Sequence, residues 1–269
     1  MSLYAWLAPK GPNGFGYGST AEDVTAGLSL EGKNVLVTGC SSGLGLETSR
    51  VLALRGAHVL GTARSAAKAS SALSGFSGTF TPLACELGDP ASVRACADAV
   101  KKKNVKLDAI VCNAGVMAPP KLELVHGYEI QFFTNHIGHF ILVNALLDVL
   151  AGDARVVSLS SAGHALAPKG GIDFDNLDGS KGYSPWQAYG RSKFANILFA
   201  KELARKFEGT QKTANAVHPG VISTNLARHS TLAEIGYAIA NPIALKNVPQ
   251  GASTQTLVAV SPKAEDING

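Results

Sequence analysis

The sequence predicts an α/β fold: a single-domain, Rossmann-type, doubly wound parallel sheet flanked by helices. Three observations carry this. From Lys33 onward, short β-branched and apolar runs alternate with helical stretches. Several of the runs, such as "DAIVC" and "RVVSL", are apolar throughout, which suits strands covered on both faces. A glycine cluster also stands between the first run and the first long helix. With 269 residues, 46% of them hydrophobic, the chain is long enough for one large domain with a well-buried core.

Taken in order, residues 1–32 form an irregular lead-in rich in Gly and Pro. It lacks a basic stretch followed by an apolar one, so no secretory signal is expected. Strands are predicted at 34–38, 57–62, 80–85, 107–112, 155–160 and 213–218, with helices at 43–56, 90–103, 123–150 and 186–208. This alternation implies right-handed crossovers and a parallel sheet. Two longer irregular stretches remain, 162–186 and Pro219 to about Val248. There is no internal repeat and no long linker, so residues 33–269 read as one domain.

Lys and Arg number 24 against 20 Asp and Glu, and the resulting +4 is spread along the chain. The densest basic run, "KKK" at 101–103, reads as a solvated helix end, so no nucleic-acid partner is expected. No apolar run reaches the ~18 residues of a membrane helix, and no membrane span is expected. Cys40, Cys85, Cys96 and Cys112 match neither a zinc motif nor a CxxC pair, and read as reduced core cysteines of a cytoplasmic protein. In "DFDNLDG" an extra residue breaks the calcium-loop spacing, and position twelve is Ser184 in place of Glu. Asp173, Asp175 and Asp178 therefore read as turn and cap residues, and no metal is expected.

The loop "TGCSSGLG" carries Gly39, Gly43 and Gly45, with Ser41, Ser42 and Leu44 between them. Gly39 permits the tight turn out of the strand, Gly43 permits close backbone approach, and Gly45 lets the helix pack on the sheet. Free amides at the helix start then face an anion such as a pyrophosphate. An NAD site usually places an acid about 20 residues further on, to bind the ribose 2′-hydroxyl. Between Glu47 and Glu86 this chain has none, but it has Arg50, Arg55, Arg64 and Lys68, with Arg64 just past the second strand. A guanidinium there suits a 2′-phosphate by charge and by fork geometry, so the expected cofactor is NADP(H).

In "AYGRSKFANILFAKELARKF", apolar residues recur at three and four, and Tyr189 and Lys193 fall one helix turn apart. A phenol of pKa about 10 is a poor acid–base catalyst at neutral pH until something stabilises its phenolate, and a neighbouring ammonium does that. The stretch at 225–245 carries Leu226, Leu232, Ile235, Tyr237, Ile239 and Ile243 with one acid, Glu234, which points to an apolar ligand.

"TGCSSGLG", "NAG" at 113–115, Asn135 in "FFTNHIGHF", "SLSSAGH" and "YGRSK" occur in the order and spacing of the short-chain dehydrogenase/reductase superfamily. With "DNLDG" and "VHPGVISTNL", the chain resembles its retinol-dehydrogenase-like branch, which includes the WW-domain oxidoreductase, over roughly residues 30 to 260. The resemblance implies an NADP-dependent carbonyl reductase or alcohol dehydrogenase. It gives Tyr189 the proton transfer, Lys193 a second role on the nicotinamide ribose, Ser161 a hydrogen bond to the substrate oxygen, and Asn135 a water that links Lys193 to solvent. It also implies that Asn113, Ala114 and Gly115 lie beside the adenine ribose. Glu86 and Leu87 stand where the family reads Asp-Leu at the adenine. The resemblance further implies that Pro219, Gly220, Ile222 and Thr224 cover the nicotinamide and its carboxamide, within a substrate lid at about 220–248 that closes on a small apolar carbonyl or alcohol substrate. His136, His139, His164 and His218 read as structural, since the family uses no catalytic metal. Pairing through the two long helices into a homodimer or homotetramer is implied too, as is a further short edge strand beyond "EDING". Two other functions share these motifs: reduction of an activated C=C bond, as in protochlorophyllide reductase, and a turnover-poor dinucleotide-sensing or scaffold role.

Overall fold

The computed structural model describes residues 9–222 and 245–269. Most of the expected lid, with Thr224, lies outside the described residues. Six strands, β1 (Asn34–Thr38), β2 (His58–Ala63), β3 (Thr79–Ala84), β4 (Leu107–Cys112), β7 (Leu150–Leu159) and β8 (Thr213–Val217), form one sheet. Its order is β3-β2-β1-β4-β7-β8, and every neighbouring pair is parallel. Strand order therefore reverses between β1 and β4. Ligands of open α/β sheets bind outside the carboxyl ends of the strands at such a switch point.

The unbroken apolar runs are explained by the packing. In β1, Val35 and Val37 face a core shared with α2 (Gly43–Leu54), while Leu36 faces one shared with α4 (Pro90–Lys101). Both faces are covered, so no position alternates to a polar residue. Each such Leu or Val removed from water stabilises the sheet by about 1.5–3 kcal/mol. All four cysteines are buried free thiols, Cys85, Cys96 and Cys112 in the core that takes Leu36 and Cys40 in a small cluster with Ala63, Ala69 and Leu73.

The sequence reading departs from the structure in three places. The predicted helix 123–150 begins with a two-stranded hairpin, β5 (Leu124–Val125) and β6 (Tyr128–Glu129), turned by His126 and Gly127 at positive φ. Helix starts only at α5 (Ile130–Phe132), because the Glu129 carboxylate caps the amides of Gln131 and Phe132. It then passes through a π turn at Phe133–Ile137 into α6 (Gly138–Leu146), and Leu150 already belongs to β7, opposite Leu107. The second departure is α3 (Ala66–Leu73), capped by Ser65, which buries only Ala69 and Leu73 and so shows little periodicity. The third is at the two ends: α1 (Ala21–Val24), closed by a Thr20/Asp23 capping box, lies within the lead-in, and α8 (Val248–Gly251) and α9 (Ser253–Val260) follow the lid stretch. The helix carrying Tyr189 and Lys193 is α7 (Pro185–Lys206), opened by Pro185 at its first position.

Candidate active site

The glycine loop leaves β1 at the switch point. Gly39 has φ +72°, and a Cβ there would lie 3.0 Å from Ala114 Cα. A Cβ on Gly45 would collide with the Gly39 carbonyl and the Asn113 amide, whereas one on Gly43 would meet nothing within 4 Å among the described residues. The loop is thus tight against the protein at Gly39 and Gly45 and open above Gly43. Ser41 is half-buried, Leu44 is buried, and exposed Ser42 heads α2 without its hydroxyl capping the helix. The first amides of α2 remain for an anion, so the residues present fit a bound dinucleotide pyrophosphate.

Of the four bases in the acid-free window, two are tied up elsewhere. Arg50 pairs with Glu47 and Glu22, and Arg55 donates to Thr25 Oγ1 and the Glu22 carbonyl. Arg64 is exposed directly after β2 and has no side-chain hydrogen bond or ion pair among the described residues. Glu86 is half-buried with Oε1 accepting from the Gly88 amide, and Leu87 is buried, its carbonyl in close contact with Gly138.

Asn113 is used by the fold. Its Nδ2 donates to the Thr38 carbonyl at 2.9 Å, and its Oδ1 accepts from Gln255 Nε2 at 3.1 Å. Ala114 N donates to Thr38 Oγ1, and a Cβ on Gly115 would lie 2.9 Å from Asn135 Oδ1 and 3.8 Å from Lys193 Nζ. The "NAG" turn therefore stands between the loop and the helix that carries Tyr189 and Lys193.

Four side chains expected to act together do converge. Lys193 Nζ sits 5.6 Å from the centroid of the Tyr189 ring and donates to the Leu159 carbonyl at 3.0 Å. It is buried, and desolvation pushes its ammonium down to about 8. It therefore remains mostly charged at neutral pH, beside the phenol. Ser161 Oγ accepts from the Gly163 amide at 3.1 Å, leaving its own proton to donate. A Cβ on Gly163 would lie 2.9 Å from Tyr189 Cε1 and 3.4 Å from Ser161 Oγ, so that residue is the narrow spacer between the two. Asn135 is fully buried in the π turn, its amide bonded to both backbone groups of Val116 and to Ser192 Oγ. Ser192 in turn donates to the Tyr189 carbonyl at 2.7 Å.

Pro219 and Gly220 follow β8, and Ile222 pairs in parallel with Lys246. Asp173 and Asp178 accept from nearby amides in turns, as read from the sequence. Several supports stand outside the expected site residues: Ser160, whose Oγ donates to the Lys193 carbonyl, Thr38, His139, Gln255, and Trp186, whose ring meets Tyr189 edge-on at 6.2 Å. Only Trp186, at i−3 from Tyr189, was within reach of a helical-face argument.

A family model described as short chain dehydrogenase matches residues 33–173 and 175–234. Among curated proteins, the chain is 40% identical over 287 residues to short-chain dehydrogenase TIC 32 A, chloroplastic, of Brassica napus, covering 100% of this chain and 89% of that one. It is 38% identical over 252 residues to retinol dehydrogenase 12 of Mus musculus, covering 91% and 78%. Among solved structures, a short chain dehydrogenase of Burkholderia cenocepacia J2315 in complex with NADP superposes with a TM-score of 0.72 at 26% identity, covering 89% of this chain and 94% of that one. A blue fluorescent protein from a metagenomic library, in complex with NADPH, gives 0.69 at 25% identity, covering 89% and 95%.

Proposed function

The chain belongs to the short-chain dehydrogenase family, and on that footing we propose that it moves a hydride between NADP(H) and the carbonyl of an apolar aldehyde or ketone, or runs the reverse alcohol oxidation. The observation that carries this reading is the buried Lys193 ammonium beneath the Tyr189 ring, next to Ser161 at the carboxyl end of the sheet. When bound, the nicotinamide supplies the hydride in reduction and accepts it in oxidation. In the reductive direction the substrate oxygen accepts hydrogen bonds from Ser161 and Tyr189. As negative charge builds on that oxygen, the Tyr189 hydroxyl gives up its proton to it, and the carbonyl becomes an alcohol. The phenolate left behind is stabilised by the Lys193 charge one turn away. Asn135, beside Gly115 and Lys193, then has the role of holding the water that returns the proton.

Arg64 supports NADP(H) over NAD(H), because its guanidinium has no side-chain partner among the described residues and stands at the end of β2, on the adenine side of the switch point. Trp186, 40% exposed beside Tyr189, supports an apolar substrate, together with the apolar residues at 225–245. Phe140 and Leu198, each nearly half exposed on α6 and α7, suit pairing into a homodimer or homotetramer. The buried thiols suit a reducing compartment; we take the cytoplasm as the first to test by fractionation, with the plastid second because two relatives are named chloroplastic.

Cofactor titration by fluorescence, followed by NADPH consumption against panels of aldehydes, ketones and activated alkenes, tests the assignment. Wild type should bind NADPH more tightly than NADH, and Arg64→Ala should lose a charge-assisted contact of roughly 1.5–3 kcal/mol, about ten- to a hundredfold in affinity. Carbonyls should be consumed, with kcat/KM rising as each added methylene contributes up to ~0.8 kcal/mol until the pocket is full. Equal affinity for the two cofactors would defeat the NADP assignment; consumption with alkenes alone would defeat the carbonyl assignment.

A further inference from the structure

His139 sits one turn beyond Asn135, fully buried on α6. Its Nδ1 is 3.0 Å from the Asn135 carbonyl oxygen, and its Nε2 is 2.8 Å from Thr38 Oγ1. A carbonyl can only accept, so Nδ1 carries the ring proton and Nε2 accepts from the Thr38 hydroxyl. The Thr38 hydroxyl has a second acceptor, the Val111 carbonyl, at the longer distance of 3.4 Å. Its own lone pairs take the amides of Asn113 and Ala114 at 2.9 and 3.0 Å. Burial depresses the imidazole to about 4, so it stays neutral under these bonds at ordinary pH.

The Asn135 end of this string is where the helix departs from α geometry. The Gly138 amide reaches back to the Phe133 carbonyl, a π-type bond, and the Asn135 carbonyl is held by the His139 ring. From Asn135 the connection runs through Ser192 to the Tyr189 carbonyl. One chain of hydrogen bonds therefore joins Thr38, next to Gly39, to the backbone of Tyr189.

We propose that His139 is a positioning residue for the reaction: its Nδ1–H holds the Asn135 carbonyl and the π turn, and so aligns the Tyr189–Lys193 turn of α7 with the phosphate loop. The proposal rests on the oxidoreductase reading above. It is separable from mere core filling, because the two ring nitrogens can be mimicked one at a time. In His139→Asn the side-chain amide falls where Nδ1 was and keeps the bond to Asn135. In His139→Gln the amide reaches toward Thr38 and leaves the Asn135 carbonyl without its donor.

The test measures kcat, NADPH affinity and thermal stability of both variants. His139→Asn should keep kcat within about threefold of wild type, whereas His139→Gln should lose about a hundredfold, as expected when reacting groups are misplaced by an ångström. NADPH affinity should change by no more than about threefold in either, because the loss is in the reacting complex and not in cofactor binding. Equal kcat in the two variants, whether both high or both low, would overturn the proposal. Nitrogen NMR of the wild-type imidazoles decides without any variant: the Nδ1–H tautomer of His139 is expected at neutral pH, and an Nε2–H tautomer or an imidazolium would overturn it. A wild type that turns over no carbonyl would sink the oxidoreductase reading, and the tautomer measurement would still rule on His139.

Discussion

Lys193 is a buried charge whose hydrogen-bond acceptor among the described residues is the Leu159 carbonyl, which it shares with the Asn196 amide. Its depressed pKa makes it a cost to the fold. Below about 8 the folded and unfolded chains both carry the proton, so the desolvation penalty is present in full. Between there and the unfolded value near 10.4, the unfolded chain binds more protons and stability rises with pH. Lys193→Met should therefore stabilise the protein by about 1–3 kcal/mol at neutral pH, flatten that rise, and abolish turnover. Urea unfolding at neutral and alkaline pH checks it; a variant less stable than wild type would show that the buried charge is not costly. Tyr189→Phe keeps the ring beside Trp186 and Lys193 but removes the donor. Turnover should fall by ~10²-fold or more, with cofactor affinity nearly unchanged.

At the scale of elements, α7 is placed by close approach. A Cβ on Gly190 would lie 2.6 Å from Ala167 N and Leu166 C and 2.8 Å from the Gly163 carbonyl, all backbone of the loop that carries Ser161. Backbone cannot swing aside as a side chain can. Gly190→Ala should cost about 1–3 kcal/mol through overpacking and should lower kcat more than NADPH affinity, since it moves Ser161 against Tyr189 and leaves the glycine loop alone. Thermal melts with cofactor titration and turnover measure this. Unchanged kcat would mean that the loop is not held in place by the helix. The same element shows what periodicity can reveal. The spacing of Phe199, Ala200, Leu203 and Ala204 announces the buried face, and Tyr189 and Lys193 fall on one turn by arithmetic. The contact of Gly190 with 163–167 involves a partner more than twenty residues away and leaves no such mark.

Across the whole molecule, the lead-in fastens the C-terminal part of the chain. Lys263 Nζ lies 4.5 Å from the Phe15 ring centroid and donates to the Asn13 carbonyl, Lys246 Nζ lies 4.8 Å from the Tyr17 ring centroid, and Gln250 donates to the Gly18 carbonyl. Lys246 pairs with Ile222, so this strap reaches the base of the expected lid. Among the described residues, deleting 1–19 removes these two cation–π contacts and two hydrogen bonds to the C-terminal part. It should destabilise the protein by about 2–4 kcal/mol and raise the KM for substrate more than that for NADPH. Denaturant titration and steady-state kinetics of the shortened chain check it; unchanged stability would mean that the strap is incidental.

By itself the sequence determined the six strands, the glycine loop after the first, the turn that pairs Tyr189 with Lys193, and the absence of any acid between Glu47 and Glu86. These are local facts, because apolar runs, glycine positions and helical spacing act within a few residues of the chain. Only the tertiary structure decided that strand order reverses between β1 and β4, and that Arg50 and Arg55 are tied up while Arg64 has no side-chain partner among the described residues. It also turned the amide of Asn113 inward and joined Thr38 to His139 across 101 residues, and Thr48 to Gln255 across 207. The physical reason is that a hydrogen bond between distant residues depends on where the sheet brings two ends of the chain together. Periodicity records which side of an element is buried and says nothing about which polar group meets it there.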